Sequence, residues 1–250
     1  MWNRITLKER AKGAVRGNYW RCVIVSLVLT LFLGGGIGGS RSSYSSYTGR
    51  QENTEDFYES GQNAGEELLE ESEMEPELAE AIGRRIAMAL GLAFLLVIIL
   101  FVFIFNMFEI GGCRFYMKNT EEPSFVRELF FAFQNGNYLK MVWVQLLRDL
   151  FVFLGMLLLV VPGIILAYSY RLVPYILAEH PELPVREVFR MSRERMDGNK
   201  WAAFVFDLSF LGWKLLGTLT FGILLVFWVN PYKDAADAEL YLALRERDAQ

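Results

Sequence analysis

The tetrapeptide GNYW at residues 17–20 recurs as GNYL at residues 136–139 and as GNKW at residues 198–201. Each copy follows a short segment with apolar residues at helical spacing and precedes a long apolar run. This order predicts a repeated unit made of an amphipathic helix on the membrane surface, a sharp corner and a transmembrane hairpin. The alternative is a chance recurrence, because Gly-Asn is a common dipeptide. The predicted units are residues 1–118, 119–180 and 181–250.

The Gly-Asn pair has a physical role in this interpretation. Glycine adopts a positive φ without strain and can end the amphipathic helix. Asparagine can then accept a backbone N–H at the start of the next helix. The predicted helix-corner residues are Gly17, Asn18, Gly136, Asn137, Gly198 and Asn199.

The apolar runs predict a membrane protein. Of the 250 residues, 53% are hydrophobic, and residues 86–108 contain no charged side chain. About 20 apolar residues suffice for a helix to cross the bilayer core. We therefore expect an all-α polytopic membrane protein, a single membrane domain over residues 1–250 with about six transmembrane helices. The hairpin of unit two is predicted to break at Pro162-Gly163 and that of unit three within residues 214–218, with one long tilted span over residues 200–230 as the alternative.

The distribution of charge predicts the orientation. Residues 1–21 hold six Lys or Arg and one acid, whereas residues 40–85 hold twelve acids and four Arg. Because Lys and Arg concentrate in cytoplasmic loops, we expect a plasma-membrane protein with both termini in the cytoplasm and an acidic insertion, residues 40–83, outside. The basic surface helices would then meet anionic lipid headgroups at the inner leaflet. A cleaved signal peptide is the alternative for the first apolar run, although the run lacks an A-x-A cleavage pattern.

Several stretches carry a family resemblance. ERMDGNKW, LSFLGW and LTFGILLVFWVNPY in unit three, and VPGIILAYSYRLVPYILAEHPEL before them, are similar to an uncharacterised family of bacterial integral membrane proteins, the domain of unknown function 975. The resemblance is dense over residues 124–241 and extends to LKERAKGAVRGNYW near the start. It implies a multi-span helical architecture, and it brings no established activity and no catalytic residue.

Charged residues also occur inside the predicted spans. An isolated charge at that depth costs several kcal/mol, so we expect pairing, with Asp207 bound to Arg148 or Arg171. In one interpretation these charges form a structural network that fixes the packing of the hairpins. In the other they line a polar cavity for an ion, a proton or an anionic headgroup. The candidate network is Arg148, Asp149, Arg171, Asp207, Tyr168 and Tyr170.

The remaining composition argues against several kinds of chemistry. The chain has one histidine, His180, and two cysteines, Cys22 and Cys113, which disfavours a histidine-cluster or zinc site. We expect no catalytic residue, cofactor, metal or nucleic-acid partner. The expected partners are membrane lipids and a membrane protein or a second copy of the chain. The leading hypothesis is a structural, regulatory or assembly component of the bacterial cell envelope. The alternatives are a small transporter or transport accessory that uses the buried Arg and Asp residues, and a lipid-acting membrane enzyme.

Overall fold

The computed structural model describes residues 2–32, 76–220 and 222–248, and within these ranges the chain is helical without a β-strand. The expected all-α class is therefore confirmed. Most of the predicted acidic insertion, residues 40–75, lies outside the described residues.

Within each described range the helical segments follow one another with short connections. Three of the segments are not α-helical: the π-helical turns Phe101–Phe105 and Leu225–Val229 and the 3-10 segment Val126–Phe130. The α-helices are α1 (Arg4–Gly17), α2 (Tyr19–Phe32), α3 (Pro76–Leu100), α4 (Asn106–Glu121), α5 (Phe131–Gln134), α6 (Tyr138–Leu158), α7 (Val160–Ser169), α8 (Val173–Glu179), α9 (Val185–Met196), α10 (Lys200–Leu219) and α11 (Asn230–Asp248).

The chain divides into two compact units. One comprises residues 1–42 and 102–250, and the other comprises residues 43–101, which include most of the predicted insertion. The described part of the second unit is essentially α3, and its apolar side chains, such as Leu92 and Phe94, are exposed. An exposed apolar helix face of this kind is typical of contact with lipid or with another protein.

Helix α4 is the central helix of the first unit. It packs against α1, α2, α8 and α11, and most of its side chains are buried. Two glycines allow this packing, since a Cβ at Gly111 would lie 2.1 Å from the carbonyl oxygen of Leu129, and one at Gly112 would lie 2.6 Å from Leu29 Cδ1. The absence of a side chain at both positions therefore lets the 3-10 segment and α2 approach the α4 backbone.

Three helices among the described residues are long and apolar enough to cross a membrane. They are Tyr138–Leu158, Val160–Glu179 and Lys200–Leu219, and a shorter apolar helix covers Tyr19–Leu31. Many of their apolar side chains, Leu157 among them, are exposed. Such faces are typical of helices that contact lipid. Six spans, including one over residues 86–108, stay a prediction.

The turn of the unit-two hairpin lies at Leu159, so the predicted break at Pro162-Gly163 is wrong. Leu159 is extended, with φ −160° and ψ 142°, between α6 and α7. Pro162 is the third residue of α7. At that position a backbone N–H has no intrahelical acceptor, so proline does not interrupt the helix.

The turn of the unit-three hairpin also lies later in the chain than the predicted break within residues 214–218. Helix α10 continues through residues 214–218 to Leu219, and a turn that contains Thr220 and Gly222 follows. Gly222 has a φ of +83°, and its N–H donates to the carbonyl oxygen of Gly217. A helical glycine only weakens a helix, whereas the chain reverses where a positive φ is required. Residues 200–230 thus form two helical segments rather than one continuous helix.

Each Gly-Asn corner connects two helices, but the predicted backbone geometry is found only at Gly198, which has a φ of +70°. The prediction is wrong at Gly17, the last residue of α1, and at Gly136. At these two corners a neighbouring residue takes the bend: Asn18 with φ −144° and the extended Asn135.

The predicted capping role is wrong for two of the asparagines. Asn137 and Asn199 directly precede α6 and α10, but neither side chain makes a capping hydrogen bond. Asn18 Nδ2 donates to Asn119 Oδ1 at 2.7 Å, and Asn199 Oδ1 accepts from Trp2 Nε1 at 3.1 Å. These amides connect elements that are far apart in sequence, because an amide can donate and accept at once.

Candidate buried charge clusters

The structure divides the predicted polar network into two clusters. Arg148 and Asp149 belong to one, while Tyr168, Arg171 and Asp207 belong to the other. Of the two partners expected for Asp207, the structure places Arg171 beside it. The Arg148 cluster consists of Asn106, Glu109, Gln145, Arg148 and Asp149. The Arg171 cluster consists of Tyr168, Arg171, Asp207, Lys233 and Asp237.

The Arg148 cluster joins α4 to α6. Arg148 Nη1 and Nη2 each donate to one carboxylate oxygen of Glu109 at 3.1 Å, a two-pronged arrangement. Arg148 Nε and Nη2 also donate to Asp149 Oδ1 at 2.9 and 2.8 Å. One buried guanidinium therefore faces two carboxylates.

Two amides complete the Arg148 cluster. Gln145 Nε2 donates to Glu109 Oε2 at 2.9 Å, and Asn106 Nδ2 donates to Asp149 Oδ2 at 3.2 Å. Gln145 is fully buried, and its Oε1 accepts no hydrogen bond. Reversing the amide would place an oxygen against the Glu109 carboxylate, so the donor must face Glu109 while that group is ionised. A buried acceptor without a donor is rare and unfavourable.

The Arg171 cluster joins the turn after α7 to α10 and α11. Arg171 Nη1 and Nη2 donate to Asp207 Oδ2 and Oδ1 at 2.8 and 2.9 Å, and Nη2 also donates to Asp237 Oδ1 at 2.8 Å. Tyr168 Oη donates to Asp207 Oδ2 at 2.9 Å. Lys233 Nζ lies 3.0 Å from Asp207 Oδ1 and also binds Asp237. Two cations thus balance two carboxylates.

Tyr170, which the sequence placed in the network, does not contact either cluster through its hydroxyl in the described structure. Its ring packs edge to face against Phe189, with 5.0 Å between centroids, and lies 6.2 Å from Phe151. The reason is geometric: Tyr170 follows the last residue of α7, so its side chain points away from that of Tyr168, two residues earlier.

Five members of the clusters were missed by the sequence interpretation: the amides Asn106 and Gln145 and the charged residues Glu109, Lys233 and Asp237. Glu109 stands directly after the charge-free run 86–108, and Lys233 and Asp237 are four residues apart in α11. The four-residue spacing indicates a shared helix face and was the available signal. The sequence interpretation assigned the three charged residues to cytoplasmic segments, because each of them lies just beyond an apolar run.

A third polar contact corrects the expected role of Arg195. Helix α9 is one of the basic surface helices expected to meet lipid headgroups, yet its Arg195 is buried and Arg195 Nη1 donates to Tyr241 Oη at 3.0 Å. Tyr241 Oη donates in turn to Glu179, which also binds Arg245. Burial and the hydrogen bond to Glu179 raise the pKa of Tyr241. This contact fixes α9 and the end of α8 against α11.

An ion pair at the end of α4 is more accessible than either cluster. Glu128 binds Arg114 at 3.0 Å and Lys118 at 2.9 Å. Burial opposes ionisation, but the hydrogen bonds and charges of Lys118 and Arg114 outweigh it and lower the pKa of Glu128.

The described ranges contain no group of three or more His, Cys, Asp or Glu side chains placed to hold a metal ion. Cys22 and Cys113 are buried and are not joined to each other.

Comparison with known proteins gives one result. Residues 155–248 match the family model "Protein of unknown function (DUF975)". The matched region contains the whole Arg171 cluster, from Tyr168 to Asp237, whereas the Arg148 cluster lies outside it. The searches of curated proteins and of solved structures found no match to the chain.

Proposed function

We propose that this chain, whose residues 155–248 belong to the DUF975 family of proteins of unknown function, is a multi-pass component of the bacterial plasma membrane. Its role is structural, regulatory or in assembly, and it has no catalytic site. The family resemblance supports the bacterial origin, and the distribution of charge supports the plasma membrane.

The observation that carries the proposal is the combination of exposed apolar helices with internally paired charges. Three helices are apolar enough to cross a membrane, and the side chains of Leu158 and Leu219 are almost four-fifths exposed. The charges on the same helices point inward, with Arg148 and Arg171 bound to carboxylates. A protein that folds in water normally has the reverse distribution, whereas lipid favours this one.

The orientation follows from the basic surfaces. Arg4, Arg10, Lys12 and Arg16 on α1 are exposed, and so are Arg186, Arg190 and Arg193 on α9. With both termini in the cytoplasm, these side chains meet the anionic headgroups of the inner leaflet.

Cysteine labelling tests the location and the orientation together. A variant with alanine at the buried Cys22 and Cys113 serves as the background. We expect Ser46→Cys in the insertion to react with a membrane-impermeant maleimide in intact cells. Glu9→Cys and Glu246→Cys, at exposed positions of α1 and α11, should react only after permeabilisation. Labelling of Glu246→Cys in intact cells, or recovery of the chain in the soluble fraction, contradicts the proposal.

A second candidate function is transport, and one observation favours it. The Arg148 cluster contains the buried acceptor Gln145 Oε1, which has no donor, and this is unexpected of a purely structural network. Flux into liposomes separates the two functions. Flux of a small ion that Arg148→Met abolishes and that the exposed Arg190→Met does not change would favour transport. Absence of flux, with a protein or lipid that co-purifies at constant ratio in mild detergent, would favour the scaffold.

A further inference from the structure

Two lysines lie against the buried ring of Phe210 and differ in their partners. Lys233 Nζ is 5.5 Å from the ring centroid, and it also binds the carboxylates of Asp207 and Asp237. Lys8 Nζ is 4.4 Å from the same centroid, and within the described ranges it has no ion pair and no hydrogen bond. Because Lys8 is half-buried, its charge is only partly hydrated and lacks the anionic partner that Lys233 has.

Two further cations flank Lys8 on α1. Arg4 and Lys12 are four residues before and after it, so the three side chains share one helix face. Lys12 Nζ lies 5.7 Å from the ring centroid of Tyr232, and this ring packs 5.2 Å from that of Phe210. In the part of the chain that the structure describes, neither Arg4 nor Lys12 is paired with a carboxylate. Positive charge is therefore concentrated where α1 meets α10 and α11.

This concentration of charge is unfavourable without an anion. Like charges four residues apart destabilise a helix. Burial lowers the pKa of Lys8, and the charges of Arg4, Lys12 and Lys233 lower it further. The folded chain thus disfavours the charged form of Lys8, whereas a bound anion would favour it.

We propose that Arg4, Lys8 and Lys12 form a binding site for one phosphate group. A phosphate has negative charge and several acceptor oxygens, which match the donors of one guanidinium and two ammonium groups. The rings of Phe210 and Tyr232 hold the two ammonium groups in place by cation–π contact. Such a contact uses one side of an ammonium group, so N–H donors stay available for the ligand.

Two sources of phosphate fit this chemistry. One is the headgroup of an anionic lipid, and this form of the site rests on the proposed function, which places α1 at the inner leaflet. The other is a soluble phosphate compound, which needs no membrane. Unlike the general attraction of basic helices to a membrane, either form of the site depends on Lys8 and Lys12 more than on exposed cations elsewhere.

Native mass spectrometry of the full chain in a mild neutral detergent tests the lipid source, with phosphatidylglycerol as the probe. We expect Lys8→Met to weaken phosphatidylglycerol binding about tenfold, because it removes one charged donor. Lys12→Met should act in the same direction, and its exposed position keeps the fold intact if Lys8→Met does not fold. Arg186→Met is the matched control, since it removes an exposed cation of α9 and should change the binding little.

Inorganic phosphate tests the soluble source in the same detergent. The melting temperature is measured with phosphate and with chloride at equal ionic strength. If the source is soluble, phosphate should raise the melting temperature of the wild type and of Arg186→Met, because a ligand that binds the folded state stabilises it. The rise should be lost in Lys8→Met and in Lys12→Met.

The two measurements together decide the outcome. Dependence on Lys8 and Lys12 in either one supports the site and identifies the source of the phosphate. Equal loss of phosphatidylglycerol binding in Lys8→Met and Arg186→Met, with no effect of inorganic phosphate, would indicate general surface attraction and overturn the inference. Absence of binding of both probes would overturn it as well.

The cysteine-labelling experiment reports separately on membrane location. A chain that is inserted in the membrane, and whose binding of both probes is independent of Lys8 and Lys12, refutes the phosphate site alone. A chain in the soluble fraction refutes the proposed function, and the measurement with inorganic phosphate then decides the site.

Discussion

The Arg148 and Arg171 clusters are both built from arginine–carboxylate ion pairs, and they differ in how many of their polar atoms have hydrogen-bond partners. In the Arg171 cluster two cations balance two carboxylates, and Tyr168 adds a donor to Asp207. In the Arg148 cluster two carboxylates share one guanidinium, and Gln145 Oε1 has no donor. The Arg171 cluster lies inside the region that matches the DUF975 family, and the Arg148 cluster lies outside it.

This difference separates two uses of buried charge. A balanced and fully hydrogen-bonded cluster holds helices in one arrangement, and loss of one partner leaves an uncompensated charge. A cluster with an unused buried acceptor, such as Gln145 Oε1, can accept a further hydrogen bond without loss of its central ion pair. We infer that the Arg171 cluster fixes the packing of α10 and α11 against the turn after α7.

The largest expected effect is at Arg171. Arg171→Met leaves Asp207 and Asp237 with Lys233 as the remaining cation of the cluster, and it should destabilise the folded state by about 3–5 kcal/mol. Thermal unfolding in detergent measures this. Arg190→Met, at an exposed ion pair of α9, is the control and should change the melting temperature little. Equal melting temperatures for the two variants would contradict a framework role for the Arg171 cluster.

A smaller effect is expected two residues from Glu109. Gly111→Ala places a Cβ 2.1 Å from the carbonyl oxygen of Leu129, so the backbone must shift and stability should fall by about 1–3 kcal/mol. Gly13→Ala in α1 is the matched control, because no heavy atom lies within 4 Å of a Cβ added at that position. This substitution should be neutral or slightly stabilising. A neutral Gly111→Ala would contradict the close packing of the 3-10 segment against α4 at Gly111.

A pair of tyrosine variants tests the membership of the Arg171 cluster. Tyr168→Phe removes the donor to Asp207 and should cost about 1 kcal/mol in the free energy of unfolding. Tyr170→Phe keeps the ring contact with Phe189 and should have almost no effect. Chemical unfolding of both variants in mixed micelles measures this free energy. A larger loss of stability for Tyr170→Phe than for Tyr168→Phe would contradict the assignment of Tyr168 to the Arg171 cluster.

The smallest effect concerns the accessible ion pair of Glu128. Its pKa is lowered in the folded state, so the unfolded state binds the proton more readily. The stabilisation is complete at pH values above about 4.3, the ordinary glutamate value, and is lost as the pH falls through the lowered folded value. The free energy of unfolding, measured at pH values from 7 to 3, should therefore differ less between wild type and Glu128→Gln as the pH falls. A difference that is constant with pH would contradict this assignment.

The sequence predicts the helical class because composition and periodicity act locally. The apolar runs fix which segments are helical, and the Gly-Asn pairs mark three real helix junctions. The conformation within each junction could not be predicted, since the bend can fall on Gly198 itself or on a neighbour such as Asn135. The break at Leu159 has no glycine or proline of its own, so no local feature indicates it.

The charge clusters were predicted only where the charge lies inside an apolar run. Arg148, Arg171 and Asp207 are conspicuous for that reason, whereas Glu109 and Lys233 follow such runs and resemble cytoplasmic residues. Their burial depends on the packing of α4 and α11 against other helices, which is tertiary information. The same limitation explains the buried Arg195, which shares a short basic helix with exposed arginines.

The most direct test compares one substitution in both clusters. Asp149→Asn and Asp207→Asn each replace a carboxylate by an amide of the same shape, and the melting temperature of each is measured in nanodiscs at neutral pH. The account predicts that Asp207→Asn melts far below the wild type and below Asp149→Asn, because Asp207 binds both Arg171 and Lys233, whereas Arg148 keeps Glu109 when Asp149 is replaced. If the two variants melted at the same temperature, the framework role of the Arg171 cluster would be contradicted.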